Sequence, residues 1–103
     1  AQALAQVAHF LELHGSSRFA DLAGDPDRVV VNRAGYRRKD AEGRTEYLVL
    51  PEVFKHEVCA GLDYRDVAKL LRDRGRLVTE DNKHLTIKRA QFGRAYCLIE
   101  VPE

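Results

Sequence analysis

The stretch Asp63–Gly75, DYRDVAKLLRDRG, decides the fold of this chain. Its first residue is a favourable helix N-cap and its last is a favourable helix terminator, so the sequence predicts a helix over 64–74. At about 100° per residue, the apolar side chains fall on one broad side: Tyr64, Val67, Leu70 and Leu71. On the opposite side lie three cations that we call the basic ridge: Arg65, Lys69 and Arg72. Arg76 follows just beyond the end of the helix.

A second helix is predicted immediately before this one, near 52–60. Pro51 suits the first turn of a helix, and Glu52 suits its positive N-terminus. Gly61 ends the helix, and only a short turn separates it from Asp63. Two helices joined by a short turn that contains glycine are typical of a helix-turn-helix.

The N-terminal half predicts a further helix and a hairpin. Apolar residues at three- and four-residue spacing predict a helix over 3–14. A polar loop at 40–44 separates two extended segments, which indicates a β-hairpin near 36–50. The β-branched run at 28–31 predicts a short strand, and residues 19–22 predict a short turn that packs on the core.

The C-terminal part predicts a second hairpin. Residues 77–78 begin an edge segment, and strands at 85–88 and 95–100 are joined through 90–94. The complete order of elements predicts an α+β fold: a winged helix, in which a helix-turn-helix carries a β-hairpin wing, with an additional β-hairpin.

One core is expected to join the helices to the C-terminal strands. Its predicted members are Val67, Leu70, Leu71, Leu77, Ile87 and Leu98 together with Leu4, Val7 and Leu11. Cys59 and Cys97 lie in apolar segments and are predicted to be buried, reduced thiols.

The length and charge of the chain limit the number of domains and the kinds of partner that are expected. The chain has 103 residues and a net charge of +1, which predicts one domain over 1–103 and no strong overall field. The charges are unevenly distributed, because 64–94 holds nine basic and four acidic residues whereas 1–27 holds one basic and four acidic residues. Such asymmetry indicates a nucleic-acid or acidic partner, and ordinary surface scatter is the alternative.

The sequence predicts a nucleic-acid-binding surface on the basic ridge and the wing. Its expected members are Arg65, Lys69, Arg72, Arg76, Lys88, Arg89 and Arg94. Arginine pairs with phosphate or guanine edges, and lysine adds point charge. The alternative is a charged face that only contacts solvent, and Asp66 and Asp73 beside the ridge favour this alternative. Phe92 at the wing either stacks on a base or packs beneath the wing.

The first hairpin carries a second basic cluster: Arg33, Arg37, Arg38, Lys39 and Arg44. Nearby carboxylates at Asp40, Glu42 and Glu46 are expected to neutralise part of it. It is therefore the weaker candidate surface.

Motifs for chemistry are absent from the sequence. There is no HExxH, CxxC, Walker A or GxGxxG pattern, and Ser16-Ser17 does not fit a nucleophile elbow. We therefore expect no catalytic residue, metal or cofactor, and no enzyme activity of the chain on its own. No apolar run approaches the roughly 20 residues of a membrane span, so no membrane partner is expected. Two scattered cysteines indicate a reducing, cytoplasmic location.

The chain resembles the C-terminal region of large helicase-like proteins of bacterial phages and integrative mobile elements, a region long described as a domain of unknown function. The resemblance lies in the following segments: His14–Phe19, Asn32–Tyr36, Glu46–Lys55, Glu57–Gly61 and Val67–Lys69 through Arg74–Gly75. It implies that the chain is excised from the end of a larger protein whose P-loop ATPase module, an MCM-like helicase or primase-helicase, lies upstream. It also implies DNA rather than RNA as the ligand, and it transfers no functional residue.

Two functions are carried forward from the sequence. The first is a non-catalytic DNA-binding winged helix of a mobile-element helicase active in DNA replication, with weak and largely non-specific affinity. The second is a protein-interaction winged helix that docks on the ATPase module or on a replication partner.

Overall fold

A computed structural model describes residues 2–25 and 27–100 of the chain, and in this part it is an α+β fold with three helices and six strands. Helix α1 is Gln2–His14 and helix α3 is Tyr64–Asp73. Helix α2 begins as an α-helix over Pro51–Val53 and continues as a π-helix over Phe54–Val58. The strands are β1 Phe19–Asp21, β2 Gly35–Lys39, β3 Thr45–Val49, β4 Leu77–Val78, β5 Ile87–Arg89 and β6 Gly93–Ile99.

The strands form one mixed sheet in the order β1-β2-β3-β6-β4, and β5 also pairs with β6. β1 lies parallel to β2, and the other pairs are antiparallel. Glu46 of β3 pairs with Ile99, so the tip of the β2–β3 hairpin lies at the C-terminal end of β6. The tip of the β5–β6 hairpin precedes Gly93 at the other end, about 20 Å away at roughly 3.3 Å per residue.

Both hairpins and all three helices agree with the sequence predictions to within a few residues. The N-terminal half differs in two places. Within 19–22, predicted as a turn, Phe19–Asp21 form β1 beside β2, and the Leu22 N–H donates to the Arg37 carbonyl at 3.0 Å. The predicted strand at 28–31 is wrong, because these residues pair with no described strand.

The helices cover one face of the sheet, and we call this the helical face. Its core joins Val7, Phe54 and Leu71 to Tyr96 and Leu98. Eight of the nine predicted core residues belong to it or pack against it. The prediction for Ile87 is wrong, because alternation along the short strand β5 points it to the opposite face, which we call the outer face.

The outer face holds a smaller cluster without a helix among its members. Leu48, Ile87, Ala95 and Cys97 are buried there. Since successive β6 residues point to opposite faces, Arg94, Tyr96 and Leu98 belong to the helical face. This alternation decides which cations of the β5–β6 hairpin lie on the side of the helices.

The ends of α3 follow the sequence closely. The Asp63 carboxylate accepts hydrogen bonds from the backbone N–H groups of Arg65 (3.0 Å) and Asp66 (3.2 Å). Gly75 ends the helix with φ of +71°, a conformation that costs glycine little. The described helices include none that is long and apolar enough to cross a membrane.

Candidate nucleic-acid interface

The basic ridge occupies the solvent side of α3. Arg65, Lys69 and Arg72 are exposed, whereas Val67 and Leu71 on the other side are buried. Neither Arg65 nor Lys69 forms an ion pair with any described residue. The ridge therefore places like charges four and three residues apart, where neighbouring helix side chains meet.

The two aspartates beside the ridge leave it largely uncompensated. Arg72 contacts Asp73 at 3.4 Å, with 41% and 67% of the side chains exposed. An exposed pair of this kind contributes little, at most about 1 kcal/mol. Asp66 lies beside Lys69 without forming an ion pair with a described residue.

Arg76 lies apart from the β5–β6 hairpin. Its carbonyl accepts a 2.9 Å hydrogen bond from the backbone N–H of Ile99, so Arg76 sits beside the C-terminal end of β6. Arg94 is five residues back along that strand, about 16 Å away at 3.3 Å per residue. The predicted members of the surface therefore do not form a single tight cluster.

Two cations of the β5–β6 hairpin face each other directly. Lys88 pairs in register with Arg94, and both are exposed. Arg94 contacts the Thr86 hydroxyl at 3.4 Å, and neither cation forms an ion pair within the part of the chain that the structure describes. Because Arg94 alternates with Ala95 of the outer-face cluster, the pair projects from the helical face.

Arg89 lies on the other face. It is within β5 and not in the turn, so alternation with Lys88 directs it to the outer face. There it donates to both carboxylate oxygens of Glu80, at 2.6 and 2.9 Å. These hydrogen bonds hold the pKa of Glu80 below its ordinary value and raise the pKa of Arg89. Arg89 therefore does not share a face with Lys88 and Arg94.

Phe92 packs instead of projecting from the hairpin tip. Its ring lies 6.0 Å from that of Tyr36, and it joins the outer-face cluster as a half-buried residue. Of the two interpretations of Phe92, the structure favours packing.

An aromatic contact connects α2 to β6. Tyr96 stacks on Phe54 of α2 with ring centroids 4.0 Å apart. Burial raises the pKa of Tyr96, and the nearby charge of Arg65 acts in the opposite direction. Tyr64, the first residue of α3, packs against the same core as Tyr96.

Two residues near the start of α3, Lys55 and Tyr64, were not predicted as members of the candidate surface. The Nζ atom of Lys55 lies 5.4 Å from the ring centroid of Tyr64, and the guanidinium carbon of Arg65 lies 5.6 Å from the same centroid. Tyr64 beside Arg65 was a local signal for an aromatic partner. Lys55 had no such signal, because its position depends on how α2 packs against α3.

The β2–β3 hairpin holds most of its cations in contacts. Arg38 pairs with the buried Glu46 at 2.7 Å, and Arg44 pairs with Asp40 at 2.9 Å. The Lys39 ammonium donates to the Thr45 hydroxyl at 2.8 Å. This neutralisation confirms the expectation from the neighbouring carboxylates.

Arg37 of the same hairpin stabilises the end of α1. It donates to the carbonyl oxygens of Gly15 (3.1 Å) and Ser16 (3.2 Å) beside a cavity of about 260 Å³. Carbonyls at a helix C-terminus carry partial negative charge. The Arg37 charge is therefore partly satisfied within the fold.

Both cysteines are buried free thiols, as predicted. Burial raises the pKa of Cys59 to about 12 and, as the largest of several effects, that of Cys97 to about 12. A nucleophilic cysteine needs a lowered pKa, so this environment disfavours thiolate chemistry. Across residues 2–25 and 27–100, no group of three His, Cys, Asp or Glu side chains is arranged to hold a metal ion.

Comparison with protein-family models, curated proteins and solved structures gives no match to this chain.

Proposed function

We propose that the chain is a non-catalytic winged-helix module that binds the phosphate backbone of DNA. The order of elements supports this assignment: α1, a strand in β3, α2, α3 and then the β5–β6 hairpin. The strand order supports it as well, because β6 lies between β3 on one edge and β4 on the other. A helix pair joined through Gly61 and followed by a hairpin is the arrangement of a helix-turn-helix with a wing.

The observation that carries the proposal is the close placement of uncompensated like charges on two elements. Lys88 and Arg94 are direct cross-strand neighbours, and Arg65 and Lys69 lie on one side of α3 without an ion pair to a described residue. Arg72 continues this side, and its contact with Asp73 is exposed. Like charges so placed destabilise a sheet or a helix. A bound polyanion would reverse the sign of that contribution.

The shape of the charge distribution favours a linear polyanion over a small anion. From Arg65 to Arg72 the ridge extends about 10 Å along the helix at 1.5 Å per residue. Its cations follow an axis instead of converging on one point. Duplex DNA offers a regular row of phosphates, and neutralising them releases counterions.

The expected affinity is weak and strongly salt-dependent. A small module with four or five phosphate contacts should bind in the range of about 10⁻⁴–10⁻⁶ M. Each contact contributes about −0.9 to the slope of log affinity against log salt, which gives a slope near −4.

The experiment is fluorescence polarisation on duplex DNA across a salt series, with wild type and the double variant Lys69→Ala/Arg72→Ala. Both residues are exposed, so the variant should fold, which circular dichroism checks. We expect the slope to flatten by about two units. Unchanged binding by a folded variant would remove α3 from the interface. Absence of wild-type binding at low salt would overturn the DNA proposal.

A second function, a protein-interaction winged helix, is favoured by one specific observation. Val29 and Val31 are 84% and 74% exposed in a segment between β1 and β2. Exposed apolar side chains that lie close together are typical of protein contacts. The partner in this hypothesis is the ATPase module or a replication protein, which the resemblance to mobile-element helicases implies.

A further inference from the structure

We propose that Lys55 and Arg65, held on the ring of Tyr64, form a two-cation phosphate clamp that joins the basic ridge to the β5–β6 hairpin; this inference rests on the proposed DNA binding. To the proposed DNA-binding surface the clamp adds Lys55 from α2 and Tyr64, a residue that positions the two cations. Its ligand is the sugar–phosphate backbone of duplex DNA.

Lys55 lies in the π-helical turn of α2. This turn exposes three consecutive charged or titratable side chains: Lys55, His56 and Glu57. His56 contacts Glu52 at 3.0 Å, and Glu57 receives two hydrogen bonds from Arg18 at 2.8 and 3.1 Å. Lys55 has no described carboxylate partner and lies over Tyr64 instead. It is the member of this turn whose charge is left for an external anion.

Tyr64 fixes the position of both cations. Its ring is half-buried and packs against the main core, whereas Lys55 and Arg65 are exposed. Each cation lies less than 6 Å from the ring centroid, within reach of a cation–π contact. Side chains ordered in advance lose less conformational freedom on binding, so the ring prepares the two charges for a ligand.

The clamp is connected to both cation groups, the basic ridge of α3 and the Lys88–Arg94 pair of the hairpin. Lys55 follows Phe54, whose ring stacks on Tyr96 of β6. Arg94 lies two residues from Tyr96 on the helical face, opposite Lys88. The Phe54–Tyr96 stack thus connects the helix that carries Lys55 to the strand that carries Arg94, and Arg65 lies about one helical turn before Lys69, the next cation of the ridge. We therefore expect a backbone that contacts both cation groups to reach Lys55 and Arg65 as well.

The test measures duplex binding across salt for Lys55→Gln, Lys55→Arg, Tyr64→Phe and Tyr64→Leu. Lys55→Gln should lower the salt slope by about 0.9, and Lys55→Arg should restore it. Tyr64→Leu retains both charges but frees them, so affinity should fall about three- to tenfold. Tyr64→Phe retains the ring and should bind like wild type. Lys39→Gln, at the far end of the sheet, is the matched control and should leave the slope unchanged.

The outcomes separate the clamp from the proposed function. If Lys69→Ala/Arg72→Ala flattens the slope while Lys55→Gln binds like wild type, the clamp is overturned and DNA binding stands. If wild type does not bind duplex DNA at low salt, both fail. Urea denaturation checks folding, and since Lys55 is exposed, its variants decide the matter even if Tyr64→Leu unfolds.

Discussion

The β2–β3 and β5–β6 hairpins belong to one sheet and are both rich in cations, yet they treat these charges differently. In the β2–β3 hairpin, register sets Arg38 opposite Glu46, and the loop sets Arg44 beside Asp40. In the β5–β6 hairpin, register sets Lys88 opposite Arg94. The comparison teaches that the availability of a cation for a ligand depends on its cross-strand partner more than on local composition.

The largest expected effect tests the compensated hairpin. Arg38→Gln should lower the free energy of unfolding by about 1–3 kcal/mol, because Glu46, only 8% exposed, loses its charged partner. Arg44→Gln in the same hairpin should cost clearly less, because Asp40 keeps the hydrogen bonds that it accepts from the backbone N–H groups of Glu42 (2.9 Å) and Arg44 (2.8 Å). Urea denaturation of both variants measures the difference. Equal costs would show that the backbone hydrogen bonds accepted by Asp40 do not distinguish the two pairs.

The two hairpins are also expected to differ in how much they contribute to duplex binding. Lys88→Gln/Arg94→Gln should lower the salt slope of duplex binding by about 1.8, since two phosphate contacts are lost. Lys39→Gln/Arg44→Gln removes the same charge about 20 Å away along the sheet, beyond a Debye length of about 10 Å at 0.1 M salt. Its slope should equal that of wild type. If both double variants lose slope equally, net charge and not position governs binding.

The smallest effect tests the like-charge pair without any ligand. Lys88→Gln removes the repulsion from Arg94 and should raise stability at low salt by about 0.2–0.5 kcal/mol. At 1 M salt, where the Debye length is about 3 Å, the gain should disappear. Urea denaturation at two ionic strengths measures it. A loss of stability at low salt would show that Lys88 is compensated within the fold.

The sequence predicted α3 well because its evidence is local. Asp63, Gly75 and the spacing of Val67 and Leu71 lie within one stretch, and their periodicity specifies both the buried and the exposed side. The same periodicity predicted that the basic ridge is exposed, as the structure shows. Its binding of DNA stays a prediction.

What the sequence could not specify depended on register and on long-range packing. Phe19–Asp21 form β1 only because Gly35, more than ten positions later, pairs with Phe19. The strand was expected to end at 88, whereas β5 includes Arg89, and alternation along β5 directs Arg89 to the face opposite Lys88. Lys55 reached the candidate surface only through the packing of α2 on Tyr64 of α3.

The π-helical turn of α2 has a consequence for how this chain can vary in length. The N–H of Cys59 donates to the carbonyl of Phe54, five residues earlier, at 2.9 Å, so the turn holds one residue more than an α-helical turn would. Phe54, Val58 and Cys59 are all buried around it. Related sequences that lack one residue within 54–58 could close an ordinary α-helical turn there and retain the flanking elements. Variation in the number of residues in this helix is therefore compatible with an unchanged sheet and an unchanged α3.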